Sequence, residues 1–159
     1  MIFLDASVVV KAYLDENGSP IVHAIMARWR GCLVITDFVA LEVLATFARR
    51  LRSTTIQRKV YRSALDDFLN DFIGAFDVIA VREEDVRSAM SLAHEHRRIG
   101  AGAMDLLHVS SALKARANLR SHVVVASSDA GFLRLADACG LRTFDPETEP
   151  LGVLLSAWR

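Results

Sequence analysis

The sequence predicts a single three-layer α/β/α domain around a central, mainly parallel β-sheet. Short apolar runs rich in β-branched residues alternate along the chain with longer segments of helical periodicity. The runs are apolar on both sides of the strand, as expected when helices cover both faces of a parallel sheet. The chain has 159 residues and neither a repeat nor a low-complexity linker, so one domain over 1–159 is expected.

The predicted strands are the apolar runs that end at an acid, a polar residue or a turn. The first run, Ile2-Phe3-Leu4, ends at Asp5, and the clearest central strand precedes Ser127. The last strand ends before Asp145-Pro146, a dipeptide typical of turns. In order, the strands are expected over residues 2–4, 33–36, 76–81, 122–126 and 142–144.

The predicted helices begin at capping residues. Ser7, Asp37 and Thr54 are expected to cap or open helices, Asp129 opens the last long one, and Gly140 occupies the left-handed position that ends it. The apolar tail over 151–158 is expected to pack against another surface. The helices are expected over residues 8–15, 21–29, 38–51, 54–72, 83–98, 103–117 and 129–139.

Composition restricts the class of protein. Equal numbers of basic and acidic residues, 19 of each, argue against a broad DNA-binding surface. The chain opens without a basic leader, and no apolar run reaches the roughly 18 residues that span a bilayer, so a cytoplasmic protein without membrane contact is expected. Cys32 and Cys139 are expected to be free thiols.

The charged residues are unevenly distributed. Residues 43–65 contain no acid, whereas residues 66–85 contain seven acids and only one basic residue, Arg82. Each block is either a solvated helix face or, for the basic block, a phosphate-binding surface, and the sequence leaves both open. The basic residues are Arg49, Arg50, Arg52, Arg58, Lys59 and Arg62.

Four acids occupy positions that are expected to meet at one edge of the sheet. Asp5 and Asp129 follow strands at their carboxyl ends, where ligand sites form in open α/β sheets. Glu42 and Asp105 lie among apolar neighbours near the starts of helices, where a lone carboxylate is costly unless paired or metal-bound. Clustered carboxylates suit Mg²⁺ or Mn²⁺, and without a metal at least one should have a raised pKa.

These acids stand in segments that resemble the PIN-domain nuclease family, in particular the VapC-like toxins of type II toxin–antitoxin systems. The resemblance implies an acidic metal site made of Asp5, Glu42, Asp105 and Asp129, with Ser7 as a support. After Asp129 the sequence lacks the further acid that some members carry. The matching segments are Ile2-Phe3-Leu4-Asp5-Ala6-Ser7, Ala40-Leu41-Glu42-Val43, Ala103-Met104-Asp105-Leu106-Leu107-His108 and Ala126-Ser127-Ser128-Asp129.

The resemblance also implies a function. It implies a Mg²⁺- or Mn²⁺-dependent endoribonuclease in which a metal-activated water hydrolyses the phosphodiester and leaves a 5′-phosphate and a 3′-hydroxyl. It further implies an RNA substrate, a cognate antitoxin that blocks the site, and a homodimer. The alternative is a non-catalytic PIN-like module that binds RNA or protein; retention of all four acids argues against it.

Other residues near the expected site have competing interpretations. His108 follows Asp105 by one helical turn and is expected to pack or support the site rather than to act as an acid or base. Ser127 and Ser128 either order Asp129 and bind phosphate or cap its helix. Two other phosphoryl chemistries fit poorly, because Ser7 replaces the second acid of a haloacid-dehalogenase phosphatase and no lysine ends a strand as in a receiver domain.

Overall fold

Five parallel strands form the central sheet of the computed structural model, which describes residues 1–119 and 122–156. Their order across the sheet is β3-β2-β1-β4-β5, so β1 is the central strand and β2 and β4 flank it. All four neighbouring pairs are parallel. The strands are β1 (Ile2–Leu4), β2 (Leu33–Thr36), β3 (Asp77–Ile79), β4 (Val124–Ala126) and β5 (Arg142–Phe144).

Helices cover both faces of this sheet, which confirms the predicted three-layer fold. Alternate residues of β1 separate the two cores, since Ile2 and Leu4 pack with α1–α4 and α8 whereas Phe3 packs with α5, α6 and α7. The helices are α1 (Ala6–Lys11), α2 (Ser19–Arg28), α3 (Asp37–Arg52), α4 (Arg58–Gly74), α5 (Glu83–Glu95), α6 (Ala103–Leu119), α7 (Ala130–Ala138) and α8 (Leu151–Ser156).

The strand order reverses between β1 and β4, and this position determines where a ligand can bind. From β1 the chain proceeds outward to β2 and β3, and it later returns to β4 on the other side of β1 and continues to β5. Crevices in open α/β sheets form at such reversals, beyond the carboxyl ends of the strands. Asp5 follows β1 there, and Ser127 follows β4.

Several predicted helix starts were wrong by a few residues. Asp5, not Ser7, caps α1, because its carboxylate accepts a hydrogen bond from Ser7 N. Thr36, not Asp37, caps α3 by accepting from Val39 N. Thr54 opens no helix: its φ of 56° belongs to the turn that ends α3, and α4 begins at Arg58. Polar residues adjoin one another at each start, so the sequence alone does not single out the residue that caps.

The segment over 53–76, whose role the sequence left open, supplies a helix to the core. Phe68 of α4 lies edge-on to Tyr13, with ring centroids 5.5 Å apart, and to Phe47 of α3 at 6.2 Å. Phe68 is fully buried in this cluster. Aromatic pairs in this geometry stabilise a fold beyond the area they bury. The segment therefore fixes α3, which carries Glu42, against α1.

The remaining expectations concern the termini and the cysteines. Leu154 of α8 is buried against the first core, while residues 157 and 158 of the predicted tail lie outside the described residues. Cys32 and Cys139 are free, as predicted. Among the described helices, none combines the length and apolar character needed to cross a membrane.

Candidate active site

Asp5 is fixed at the carboxyl end of β1 by three hydrogen-bond donors. Its Oδ2 accepts from Ser7 N at 3.2 Å, from Ser7 Oγ at 2.7 Å and from Ser127 Oγ at 2.9 Å. The residue is 8 % exposed. Among the described residues, nothing donates to Oδ1, so one carboxylate oxygen is anchored and the other is available to a ligand.

Two serine hydroxyls connect the ends of the central strands. Ser7 Oγ lies 3.2 Å from Ser127 Oγ and accepts from Ser128 N at 3.0 Å. Ser127 Oγ also accepts from Asp129 N at 3.0 Å. Through this network the segment after β1 and the segment after β4 hold Asp5 and Asp129 in a fixed relation. Ser128 contributes its backbone, whereas its buried Oγ has no hydrogen-bond partner among the described residues.

Glu42 of α3 is oriented by a buried histidine. His108 Nε2 lies 2.7 Å from Glu42 Oε2, and His108 Nδ1 lies 3.2 Å from Thr36 Oγ1. Because an ionised carboxylate only accepts, Nε2 carries the proton of this contact. His108 is 1 % exposed, so its ring position is fixed by packing. In this geometry His108 supports Glu42, and its Nε2 is not free to bind a metal.

Asp105 lies in the first turn of α6, where its Oδ2 accepts from Gly102 N at 2.8 Å. Burial raises the pKa of the Asp105 carboxyl above its ordinary value; the hydrogen bond from Gly102 partly opposes this, and the nearby charges of Asp129 and Asp5 raise it further. This confirms the expectation that at least one clustered acid has a raised pKa.

Asp129 is the N-cap of helix α7. Its Oδ1 accepts from Gly131 N at 2.7 Å and from Phe132 N at 2.9 Å. A Cβ atom at position 131 would lie 3.0 Å from that oxygen, so a side chain there would press on the Asp129 cap. Asp129 is exposed, and its other carboxylate oxygen accepts no hydrogen bond from the described residues.

The four predicted acids line one cleft with a volume of about 450 Å³. Within it, ligand atoms of Asp5, Glu42 and His108 lie within 4.8 Å of one another. Asp105 and Asp129 line the same cleft outside this tight group. The acids thus share a site, as the topology predicts, but they surround it rather than meet at one point.

A family profile for the PIN domain matches residues 2–138. The chain belongs to the PIN-domain family. The match confirms the resemblance inferred from the sequence and covers the strand ends and helices that carry all four acids. No curated protein sequence matches the chain.

Solved structures resemble this PIN domain in fold. FitAcB from Neisseria gonorrhoeae has a TM-score of 0.69 at 17 % identity, covering 94 % of this chain and 100 % of that one. VapBC2 from Rickettsia felis has a TM-score of 0.61 at 19 % identity, covering 91 % and 98 %. PAE2754 from Pyrobaculum aerophilum has a TM-score of 0.65 at 19 % identity, covering 98 % and 95 %.

The donor atoms of this PIN-domain cleft fit a hard divalent cation. The acids that line the cleft offer carboxylate oxygens, and the His108 imidazole is committed to Glu42. Oxygen-only donor sets favour Mg²⁺ or Mn²⁺ over softer metals. Asp5, Glu42, Asp105 and Asp129 are therefore the residues that could hold such an ion.

Three cations also line the cleft: Arg49 and Arg50, which belong to the basic block noted in the sequence, and Lys11, which sequence reasoning missed. Lys11, 4 % exposed, contacts Glu147 at 2.7 Å and Glu16 at 3.3 Å, and Arg50 pairs with Glu16. Helical spacing could have placed the two arginines in the cleft, because positions three, four, seven and eight after Glu42 fall on one face of α3. Those positions are Ala45, Thr46, Arg49 and Arg50, and all four line the cleft.

Proposed function

We propose that this PIN domain is a metal-dependent endoribonuclease and the toxin of a toxin–antitoxin pair acting in the cytoplasm. The observation that carries the proposal is the cleft at the reversal of strand order, where four carboxylates are held with oxygens left available. Among the described residues no lysine or arginine forms an ion pair with these four carboxylates, and clustered carboxylates are unfavourable unless a cation binds.

Some residues of the cleft would bind the cation, and others hold those residues in position. When bound, Mg²⁺ or Mn²⁺ would lower the pKa of a water and neutralise phosphate oxygens during in-line attack. Asp5 offers Oδ1 while Ser7 and Ser127 hold Oδ2. His108 keeps Glu42 turned toward the cleft. The raised pKa of Asp105 makes its carboxyl easier to protonate than an ordinary aspartate when no cation is present.

The proposed partners are an RNA substrate, a cognate antitoxin and a second copy of the chain. Support for an antitoxin comes from the fold relatives: FitAB is described bound to a DNA fragment, and VapBC2 to a fragment from their promoter. A neutral PIN domain lacks a basic DNA-binding surface of its own, so a separate DNA-binding partner is consistent with its charge. Exposed apolar side chains support protein contacts, among them Leu41, Ile73 and Met90.

Cleavage of single-stranded RNA with and without divalent metal tests the proposal. Wild type should cleave with Mg²⁺ or Mn²⁺ and not in chelator, and Asp5→Asn and Asp105→Asn should lose activity while keeping a folded circular dichroism spectrum. Asp66→Asn, an exposed acid of α4 away from the cleft, is the matched control and should remain active. Undiminished cleavage in chelator would contradict the metal mechanism, and RNA binding without any cleavage would favour the non-catalytic module.

A further inference from the structure

We propose that Arg49 forms a subsite for a backbone phosphate of the nucleic-acid strand, two helical turns along α3 from Glu42. The inference rests on the proposed nuclease function and specifies how that site holds its substrate. It assigns a ligand to one residue of the basic block that the sequence left open between solvated surface and phosphate contact.

One face of α3 lines the cleft from Glu42 to Arg49. Glu42, Thr46 and Arg49 all line the cleft, one helical turn after another. Seven residues separate Glu42 from Arg49, which corresponds to about 10 Å along the helix axis. Because a nucleic-acid strand carries one phosphate per nucleotide, a few nucleotides laid along this face cover that distance. A strand with one phosphate at the acids therefore presents another close to Arg49.

Charge pairing singles out Arg49 among the cations of the cleft. Lys11 is neutralised by Glu147 and Glu16, and Arg50 also pairs with Glu16. Arg49 makes no ion pair with any acid of the described residues; its only side-chain hydrogen bond there is from Nη2 to Thr46 Oγ1, at 3.1 Å. Its positive charge is therefore left for a ligand.

The surrounding network shapes the subsite without competing for the phosphate. Lys11 is buried, and its two carboxylate partners come from the α1–α2 loop and from the turn after β5. Lys11 and Arg50 carry two positive charges and Glu16 and Glu147 two negative ones, so this group adds almost no net charge to the cleft. The Thr46 contact keeps the guanidinium along α3 and leaves its remaining N–H groups free to donate to phosphate oxygens.

Binding of a fluorescein-labelled oligouridylate in chelator, followed by fluorescence anisotropy over a range of KCl concentrations, tests the subsite without cleavage. Arg49→Gln should weaken binding on the order of tenfold, the loss expected for one charge-assisted contact. It should also reduce the slope of log Kd against log salt by about 0.7, the value for one phosphate contact on a single strand. Arg49→Lys should keep the slope. Arg52→Gln, an exposed α3 residue outside the cleft, should leave both unchanged.

The outcomes separate this inference from the nuclease proposal. Equal effects of Arg49→Gln and Arg52→Gln, or an unchanged salt slope in Arg49→Gln, would overturn the subsite even if wild type cleaves RNA with Mg²⁺. Binding that depends on Arg49 in a protein that does not cleave RNA with either Mg²⁺ or Mn²⁺ would support the subsite and overturn the nuclease proposal. Absence of oligouridylate binding by wild type would overturn the subsite and favour an acidic protein segment as the occupant.

Discussion

Amide replacements of Asp5 and Asp105 are expected to change the stability of the metal-free protein in opposite directions. Asp105 is half-buried and lies near Asp129 and Asp5, and its raised pKa means that ionisation is costly in the fold. Between the ordinary value of 3.8 and the raised value, the folded state holds more protons than the unfolded state. The free energy of unfolding therefore falls as pH rises through that interval. At neutral pH, Asp105→Asn removes this cost and keeps an oxygen that can accept from Gly102 N.

The expected effect at Asp5 follows from its hydrogen bonds. Oδ2 serves three donors, from Ser7 N, Ser7 Oγ and Ser127 Oγ. An amide oxygen is neutral and has two lone pairs, so Asp5→Asn leaves one donor without an acceptor and weakens the others. A lost buried partner costs about 1–3 kcal/mol. For a domain of this size that lowers the melting temperature by about 2–12 °C.

Thermal melts in chelator at neutral pH measure both effects. Asp105→Asn should melt at or above wild type, Asp5→Asn well below it, and the exposed control Asp66→Asn at the wild-type temperature. Repeating the melts across acidic pH should show that the decline in stability attributed to Asp105 is absent in Asp105→Asn. If the melting temperatures of both site variants shift equally in the same direction, ionised Asp105 is no more destabilising than ionised Asp5, and the reasoning fails.

Three further predictions concern the metal, the imidazole and the aromatic cluster. Saturating Mn²⁺ at a hundredfold excess over Kd should stabilise wild type by about 2.7 kcal/mol in thermal melts, and Asp5→Asn by less. His108→Ala should lower kcat in the RNA assay by releasing Glu42, whereas His108→Asn should restore part of it; equal kcat in both would argue against positioning. Phe68→Ala should cost about 3–5 kcal/mol in urea unfolding, and a much smaller loss would mean that α4 does not hold α3.

The fold and the acids were predictable because they follow from chain direction and strand polarity. Asp5 and Asp129 each follow a central parallel strand, and that placement alone brings them to one edge of the sheet. The N-cap at Thr36 and the start of α4 at Arg58 were not predictable, because neighbouring polar residues could serve equally well as caps. The buried ion pair of Lys11 was not predictable for another reason. Its partner Glu147 is far away in sequence, so only the folded chain shows the pairing.

The site also shows how a PIN domain stabilises clustered acids before any cation binds. Asp5, Asp105 and Asp129 each accept at least one backbone N–H, so part of their negative charge is offset by the main chain. Glu42 lies within α3, where backbone N–H groups are used by the helix, and none in the described residues donates to its carboxylate. It is also the acid that has an imidazole at 2.7 Å. The buried His108 therefore gives Glu42 a hydrogen-bond donor, as main-chain N–H groups do for the other three acids.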